Sequence, residues 1–213
     1  LGEAYWRDLL GALAERGPRM GLYNELFQLP TPEFVHAFAR CADLPHSSLA
    51  ISALSGSEEV RRRNGKYFTN QQLFALLTAL NVYNVPLLVY FSLNLPREDE
   101  KTMRESIELA ERIHSFYPSS LLKILTSCHT IDPLAPMNVD PDSYQVEVDM
   151  ATFEDYYAYC RDTQFASPEA RTELHRGFRP DGTWSRSLAT MADMWDRARI
   201  GRESSWWPVP PGW

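Results

Sequence analysis

The chain has 213 residues, 44% of them hydrophobic and 23% charged, with a formal net charge of -7. This is an ordinary globular composition with enough apolar material for one core and an extension, which excludes a disordered tail. The acidic balance argues against nucleic acid as a partner, since no basic face stands out beyond Arg61, Arg62 and Arg63.

No apolar run approaches the roughly 20 residues that cross a bilayer, and no signal peptide opens the chain. Cys41, Cys128 and Cys160 are an odd number at wide spacing and form neither a disulfide framework nor a zinc site by themselves. The expected setting is therefore reducing and cytoplasmic, away from membranes. The first residue is Leu1, which suggests a segment of a longer polypeptide.

Taken in order, Tyr5 to Glu15 carries Trp6, Leu9, Leu10 and Leu13 at helical spacing, and Arg16-Gly17-Pro18 ends that helix. Met20 to Leu29 reads as a strand. Thr31 then offers a cap and Pro32 a first helical position for a helix that turns Phe34, Val35, Phe38 and Ala42 inward. Leu49 to Leu54 is a near-continuous apolar run of strand length, as a buried parallel strand requires. Thr69 to Gln72 fits a capping box for a helix that buries Leu73, Leu76, Leu77 and Leu80. Pro86 to Leu93 is the next strand, stopped by Pro96. A helix from Asp99 to Ser115 follows, with Met103, Ile107, Ala110 and Ile113 inward, and Leu121 to Thr126 is a fourth strand that runs into Ser127-Cys128-His129.

Strand followed by helix at this spacing predicts an α/β fold with parallel crossovers, either a barrel segment or a doubly wound sheet. From Asp149 onward no strand is clear. The expectation there is a mainly helical C-terminal extension, residues 149–213, with a helix around Pro168 to Arg176 and another in MADMWDRAR. The closing SSWWPVPPGW cannot be helical, and its tryptophans need a surface, either a barrel mouth or a neighbouring face.

Ligands of such sheets sit outside the carboxyl ends of the strands. The ends offer Glu25 and Gln28, then Ser55, Gly56 and Ser57, then Ser92 and Asn94, then Thr126 to His129. In the Ser55-Gly56-Ser57 turn the glycine allows a tight bend, and the serines place hydroxyls and free N–H groups where an anion or carboxylate would bind. The plain alternative is that Ser57 is an N-cap and Gly56 a turn residue.

Three segments together carry a resemblance. SGSEEVRRRNGKYFTNQQL is similar to the stretch after the fourth barrel strand of radical S-adenosylmethionine enzymes. PLLVYFSLNLPRED resembles their next strand, which usually ends Gly-Leu-Pro-Gly-Glu; here Asn94 and Arg97 replace the two glycines. DPLAPMNVDPDSY and TFEDYY resemble stretches of members that also carry a cobalamin-binding domain.

The resemblance implies a partial (β/α)6 TIM-like barrel with parallel strands, of which residues 1–148 hold the later four, and a cobalamin-dependent radical methyltransferase acting on a small or peptide-derived substrate in natural-product (antibiotic) biosynthesis. It implies S-adenosylmethionine, a 4Fe-4S cluster and cobalamin as cofactors, an upstream cobalamin-binding domain of the same polypeptide, and an electron donor such as flavodoxin or ferredoxin. The chain has neither C-x-x-x-C-x-x-C nor Asp-x-His-x-x-Gly, so cluster and cobalamin ligands are expected upstream and the segment alone is expected to be inactive.

Carried over by residue, Ser55, Gly56 and Ser57 would bind the methionine end of S-adenosylmethionine, with Glu25 at its amino group and Lys66 or Arg62 at its carboxylate. Ser92 or Asn94 would line the adenosyl pocket. Tyr90, Cys128 and His129 would line the acceptor site. A methylthiotransferase, a cyclase, or a non-catalytic barrel fragment that binds an anionic ligand or a partner stay open as alternatives.

Overall fold

The computed structural model describes residues 2–16, 18–93, 95–129, 132–148, 150–163, 178–180 and 188–200. Four strands, β1 (Tyr23–Leu26), β2 (Ser48–Leu54), β3 (Leu87–Leu93) and β4 (Leu122–Cys128), form one sheet in the order β1-β2-β3-β4 with every pair parallel. The helix α1 (Glu3–Arg16) precedes β1, and α2 (Pro32–Cys41), the pair α3 (Glu58–Arg63) and α4 (Asn70–Val82), and α5 (Glu100–Phe116) make the three crossovers.

Local chemistry sets these elements as the sequence suggests. The Thr31 hydroxyl caps α2 by accepting from the Phe34 N–H, with Pro32 at the first helical position. Thr69 and Gln72 close a capping box on α4, and Asp99 and Thr102 close another on α5. The strand expected over Met20 to Leu29 is only four residues long, paired with Ser48–Ile51 of β2, and Met20 makes only an isolated parallel bridge to Ala42.

The two faces of the sheet differ, and the difference decides between the two architectures. Leu49, Ile51 and Ala53 of β2, Leu87, Val89, Phe91 and Leu93 of β3, and Leu122 and Ile124 of β4 share one core with residues of α1, α2, α4 and α5. These are alternate positions, so they lie on one face. The intervening positions, among them Ser48, Ala50, Ser52, Leu88, Tyr90 and Ser92, stay outside that core. A doubly wound sheet would cover both faces with crossover helices; helices gathered on one face agree with a partial barrel.

Beyond β4, two one-turn helices, α6 (Pro136–Val139) and α7 (Pro141–Tyr144), lead to β5 (Val146–Val148), and α8 (Phe153–Thr163) follows. The strand β6 (Phe178–Pro180) pairs antiparallel with β5, which corrects the expectation that no strand lies past Asp149; three residues are too few to show an alternating pattern. The last described helix, α9 (Leu188–Ala198), puts Met191 and Trp195 into the main core, with the Trp195 ring 5.3 Å from that of Phe91. The expected helix at Pro168 to Arg176 and the SSWWPVPPGW tail lie outside the described residues. No described helix is long and apolar enough to cross a membrane.

Two ties hold the end of β2. The Arg61 side chain, one of the three arginines that stand out in the sequence, is fully buried, whereas Arg62 and Arg63 are exposed. Its Nε donates to the Ala53 and Ser55 carbonyls at 3.2 and 3.1 Å, its Nη1 to the Phe68 carbonyl at 3.0 Å, and its Nη2 to the Ser55 carbonyl at 2.7 Å and Asn70 Oδ1 at 2.5 Å. The second tie is Gly56. A Cβ there would press into the Glu105 carbonyl and come within 2.6 Å of Ser106 Cα, so the glycine lets α5 lie directly on the turn.

Expected outcomes follow from three positions. Arg61→Met strands buried carbonyls of Ser55 and Phe68 and should lower stability by about 3 kcal/mol, seen in calorimetry as a Tm roughly 10 °C lower. Gly56→Ala should lower it by about 2 kcal/mol through overpacking against backbone that cannot yield. Arg97 occupies the left-handed region at φ 68° and is exposed, so Arg97→Gly should raise stability by about 1 kcal/mol, an increase in Tm in the same assay.

Candidate functional site

The carboxyl ends of β1 and β2 bring the candidate groups together. On β1, Tyr23 and Glu25 share a face; on β2, Ser52 stands on the same face and donates its hydroxyl to Glu25 Oε1 at 3.1 Å. Ser52 pairs in register with Tyr90 of β3, and Ser92 lies two residues further along. Ala50, with no side chain beyond Cβ, separates the β1 and β3 residues, and the Tyr23 and Tyr90 hydroxyls interact across it. Partial burial, then the hydrogen bond to Tyr90, push the Tyr23 phenol up to about 12, so Tyr23 keeps its proton at physiological pH.

Lys66 reaches the same corner from the loop after α3. Its Nζ donates to the Phe27 carbonyl at 2.6 Å and lies 4.7 Å above the Phe27 ring, and the side chain is buried. Burial pushes its ammonium below the usual lysine range, and the Glu25 carboxylate opposes that shift. The Glu25 carboxylate and the Lys66 ammonium thus interact electrostatically at the strand ends without an ion pair in contact, and Glu25 itself is exposed.

The Ser55-Gly56-Ser57 turn differs from its sequence reading in two respects. The left-handed residue is Leu54, at φ 62° just past a register shift between Ser52 and Leu54, while Gly56 serves close packing. A leucine held in that conformation stores about 1–2 kcal/mol of strain. The N–H groups expected to be free are occupied: Gly56 N donates to Ser106 Oγ at 2.8 Å and Ser57 N to Ser55 Oγ at 3.2 Å. Ser57 stands at the N-cap position of α3, and its hydroxyl makes no capping bond. Ser57 is itself buried at 7% exposure, while Ser55 is fully buried.

The other sequence candidates are dispersed. Arg62 is exposed on α3. Ser92 is buried and Tyr90 half-buried on β3. Cys128 ends β4 opposite Leu93, and its side chain lies outside the described residues, as does Asn94. The half-buried His129 follows Cys128, with its N–H on the Leu93 carbonyl at 2.8 Å. Among the described residues no group of three or more His, Cys, Asp or Glu side chains is placed to hold a metal ion.

Sequence reasoning missed Tyr23, Ser52, Arg61 and Ser106. A signal existed for two of them. Ser48, Ala50 and Ser52 alternate with Leu49, Ile51 and Ala53, which marks a small, polar face on an otherwise apolar strand. Ser106 interrupts the apolar stripe of α5 three residues after Met103, and a serine there needs a buried partner.

No protein-family model matches the chain, and no curated protein does. Among solved structures, the chain is similar to one described as the cobalamin-dependent S-adenosylmethionine radical enzyme OxsB with aqua-cobalamin bound, at 16% sequence identity and a TM-score of 0.40. The match covers 57% of this chain and 18% of that one, so the chain spans less than a fifth of that protein's length.

Proposed function

We propose that this chain is the later part of a radical S-adenosylmethionine barrel, and that the strand ends of β1 to β3 hold S-adenosylmethionine. The observation that carries the reading is the Glu25 carboxylate, anchored by Ser52, with the Lys66 ammonium within electrostatic reach of it, because the amino-acid end of that ligand offers one ammonium and one carboxylate. The sequence resemblance from Ser55 to Leu73 supports the same assignment.

The residues fit the ligand as follows. Glu25 accepts one bond from Ser52 and keeps further acceptor positions for an amino group. Lys66 uses one of its three N–H bonds on Phe27 and keeps two for a carboxylate. Ser57 offers a hydroxyl, and Ser92 with Asn94 would line the adenosyl side. Tyr90, Cys128 and His129 would face the methyl acceptor. Bound here beside a reduced iron–sulfur cluster, S-adenosylmethionine would supply the radical chemistry, and methylcobalamin the methyl group for a carbon of a small or peptide-derived acceptor. The side chains' task is to place these partners and exclude water.

The chain's own cysteines do not fit a cluster. Cys41 is buried in the apolar core, and Cys128 and Cys160 stand far from it in sequence. In this reading the cluster, the cobalamin and their ligands come from other parts of the same polypeptide, which would also add strands beside β1, and a flavodoxin or ferredoxin delivers the electron. Residues 149–213 form the extension that follows the barrel.

The test uses the full natural polypeptide, expressed with cobalamin, purified without oxygen and supplied with iron and sulfide. Its ultraviolet–visible spectrum should show both a cluster and a corrinoid, and Glu25→Gln should weaken S-adenosylmethionine binding at least tenfold in calorimetry with an unchanged Tm. Cluster absorption without a corrinoid would replace the methyltransferase with another radical S-adenosylmethionine enzyme. A colourless, folded protein would overturn the enzyme and leave a barrel fragment that binds an anionic ligand or a partner.

A further inference from the structure

The directions of four hydrogen bonds around Ser106 can be assigned from proton count alone. Ser106 Oγ lies 3.0 Å from the Thr102 carbonyl, 2.8 Å from the Gly56 N–H and 3.1 Å from Ser55 Oγ. A carbonyl only accepts, so the single Ser106 hydroxyl proton goes to Thr102. Ser106 Oγ must then accept from both Gly56 and Ser55. Ser55 gives its own proton to Ser106 and accepts from the Ser57 N–H at 3.2 Å.

The result is one oriented relay, from Ser57 N–H to Ser55 to Ser106 to Thr102, with Gly56 N–H joining at Ser106. Ser106 has neither a spare proton nor a spare lone pair. Both serines are buried, Ser55 at 0% and Ser106 at 2% exposure, so water cannot substitute if one is removed. The relay fixes two consecutive turn amides and consumes the Ser55 proton. Of the two turn hydroxyls, only that of Ser57 is left to meet a ligand.

We propose that Ser106, a helix residue fifty positions past the turn, is a positioning residue for ligand binding at Ser55-Gly56-Ser57: it locks the turn to α5 and so sets where the Ser57 hydroxyl is presented. The proposal rests on the reading of that turn as part of the S-adenosylmethionine site. It makes the crossover after β3 part of the recognition apparatus at the end of β2, through backbone contact at Gly56 and hydrogen bonds at Ser55.

The experiment compares wild type, Ser106→Ala, Ser55→Ala, the double variant, and Leu80→Ala as a control that weakens the core in α4 without touching the turn. Each is made in the full natural polypeptide with its cluster. Without ligand, hydrogen exchange over residues 55–57 should quicken about tenfold in Ser106→Ala and stay unchanged in Leu80→Ala. S-adenosylmethionine Kd by calorimetry should rise about tenfold in Ser106→Ala and stay within twofold in Leu80→Ala at a comparable loss of Tm. The double variant should be no worse than either single one, because both cut the same relay. Unchanged exchange at the turn, or a Kd within twofold of wild type, overturns the role of Ser106. If Ser106→Ala does not fold, Ser55→Ala carries the same two readouts. Wild-type protein that takes up no S-adenosylmethionine overturns the reading of the site itself and is recognised before any variant is compared.

Discussion

The arrangement depends on a guanidinium buried without a carboxylate in contact. Arg61 is fully enclosed, and four of its five N–H bonds, one on Nε, one on Nη1 and two on Nη2, end on carbonyl oxygens or on Asn70. The Phe68 ring lies 4.8 Å from its charged carbon. Burial lowers its pKa to about 10, with Glu58 opposing the shift, so the charge persists at neutral pH. An isolated buried cation is expensive, and what offsets it here is a ring of dipoles aimed inward. Lysine has no planar fork and cannot reach the same set of acceptors.

What those acceptors belong to explains the consequence. Ala53 and Ser55 end β2, Phe68 belongs to the loop after α3, and Asn70 begins α4. Asn70 extends the tie, since its Nδ2 donates to the Gly56 carbonyl at 3.0 Å and its N–H meets Glu58 Oε1 at 2.6 Å. One side chain thereby fixes a strand end, a turn, a loop and a helix start relative to each other. On the opposite side Ser106 and the missing Cβ of Gly56 fix the same turn to α5. The strained Leu54 persists because its surroundings are held from both sides.

Much of the fold was legible because local signals agreed with the period of each element. Thr31-Pro32, Thr69 with Gln72, and Asp99 marked three helix starts at which the structure confirms a side-chain cap. The apolar runs of β2 and β3 could only be covered strands. The site was less legible, since hydrophobic pattern records burial and says little about hydrogen-bond partners. Arg61, Arg62 and Arg63 look alike in sequence, yet the helical turn sends the first inward and the other two to solvent. Gly56 was read correctly as special but for the wrong reason: the positive φ falls on Leu54, and the glycine answers to Glu105 and Ser106, about fifty residues on. The short β5 and β6 pair was invisible because three residues carry no period.

The direction of the bonds at the turn changes what kind of recognition this site can perform. A helix start with free N–H groups binds an anion through backbone, with little demand on side-chain identity. Here α3 is six residues long and the Gly56 and Ser57 amides are already spent on serine oxygens, so these two turn amides are closed to an anion. In the proposed reading, recognition passes instead to side chains at the strand ends, Glu25, Lys66 and Ser57, each anchored by a neighbour or held by the turn. Side-chain recognition distinguishes a ligand that carries both an ammonium and a carboxylate from one that carries only negative charge. The internal satisfaction of the turn therefore favours a zwitterionic ligand over the plain anion that its sequence first suggests.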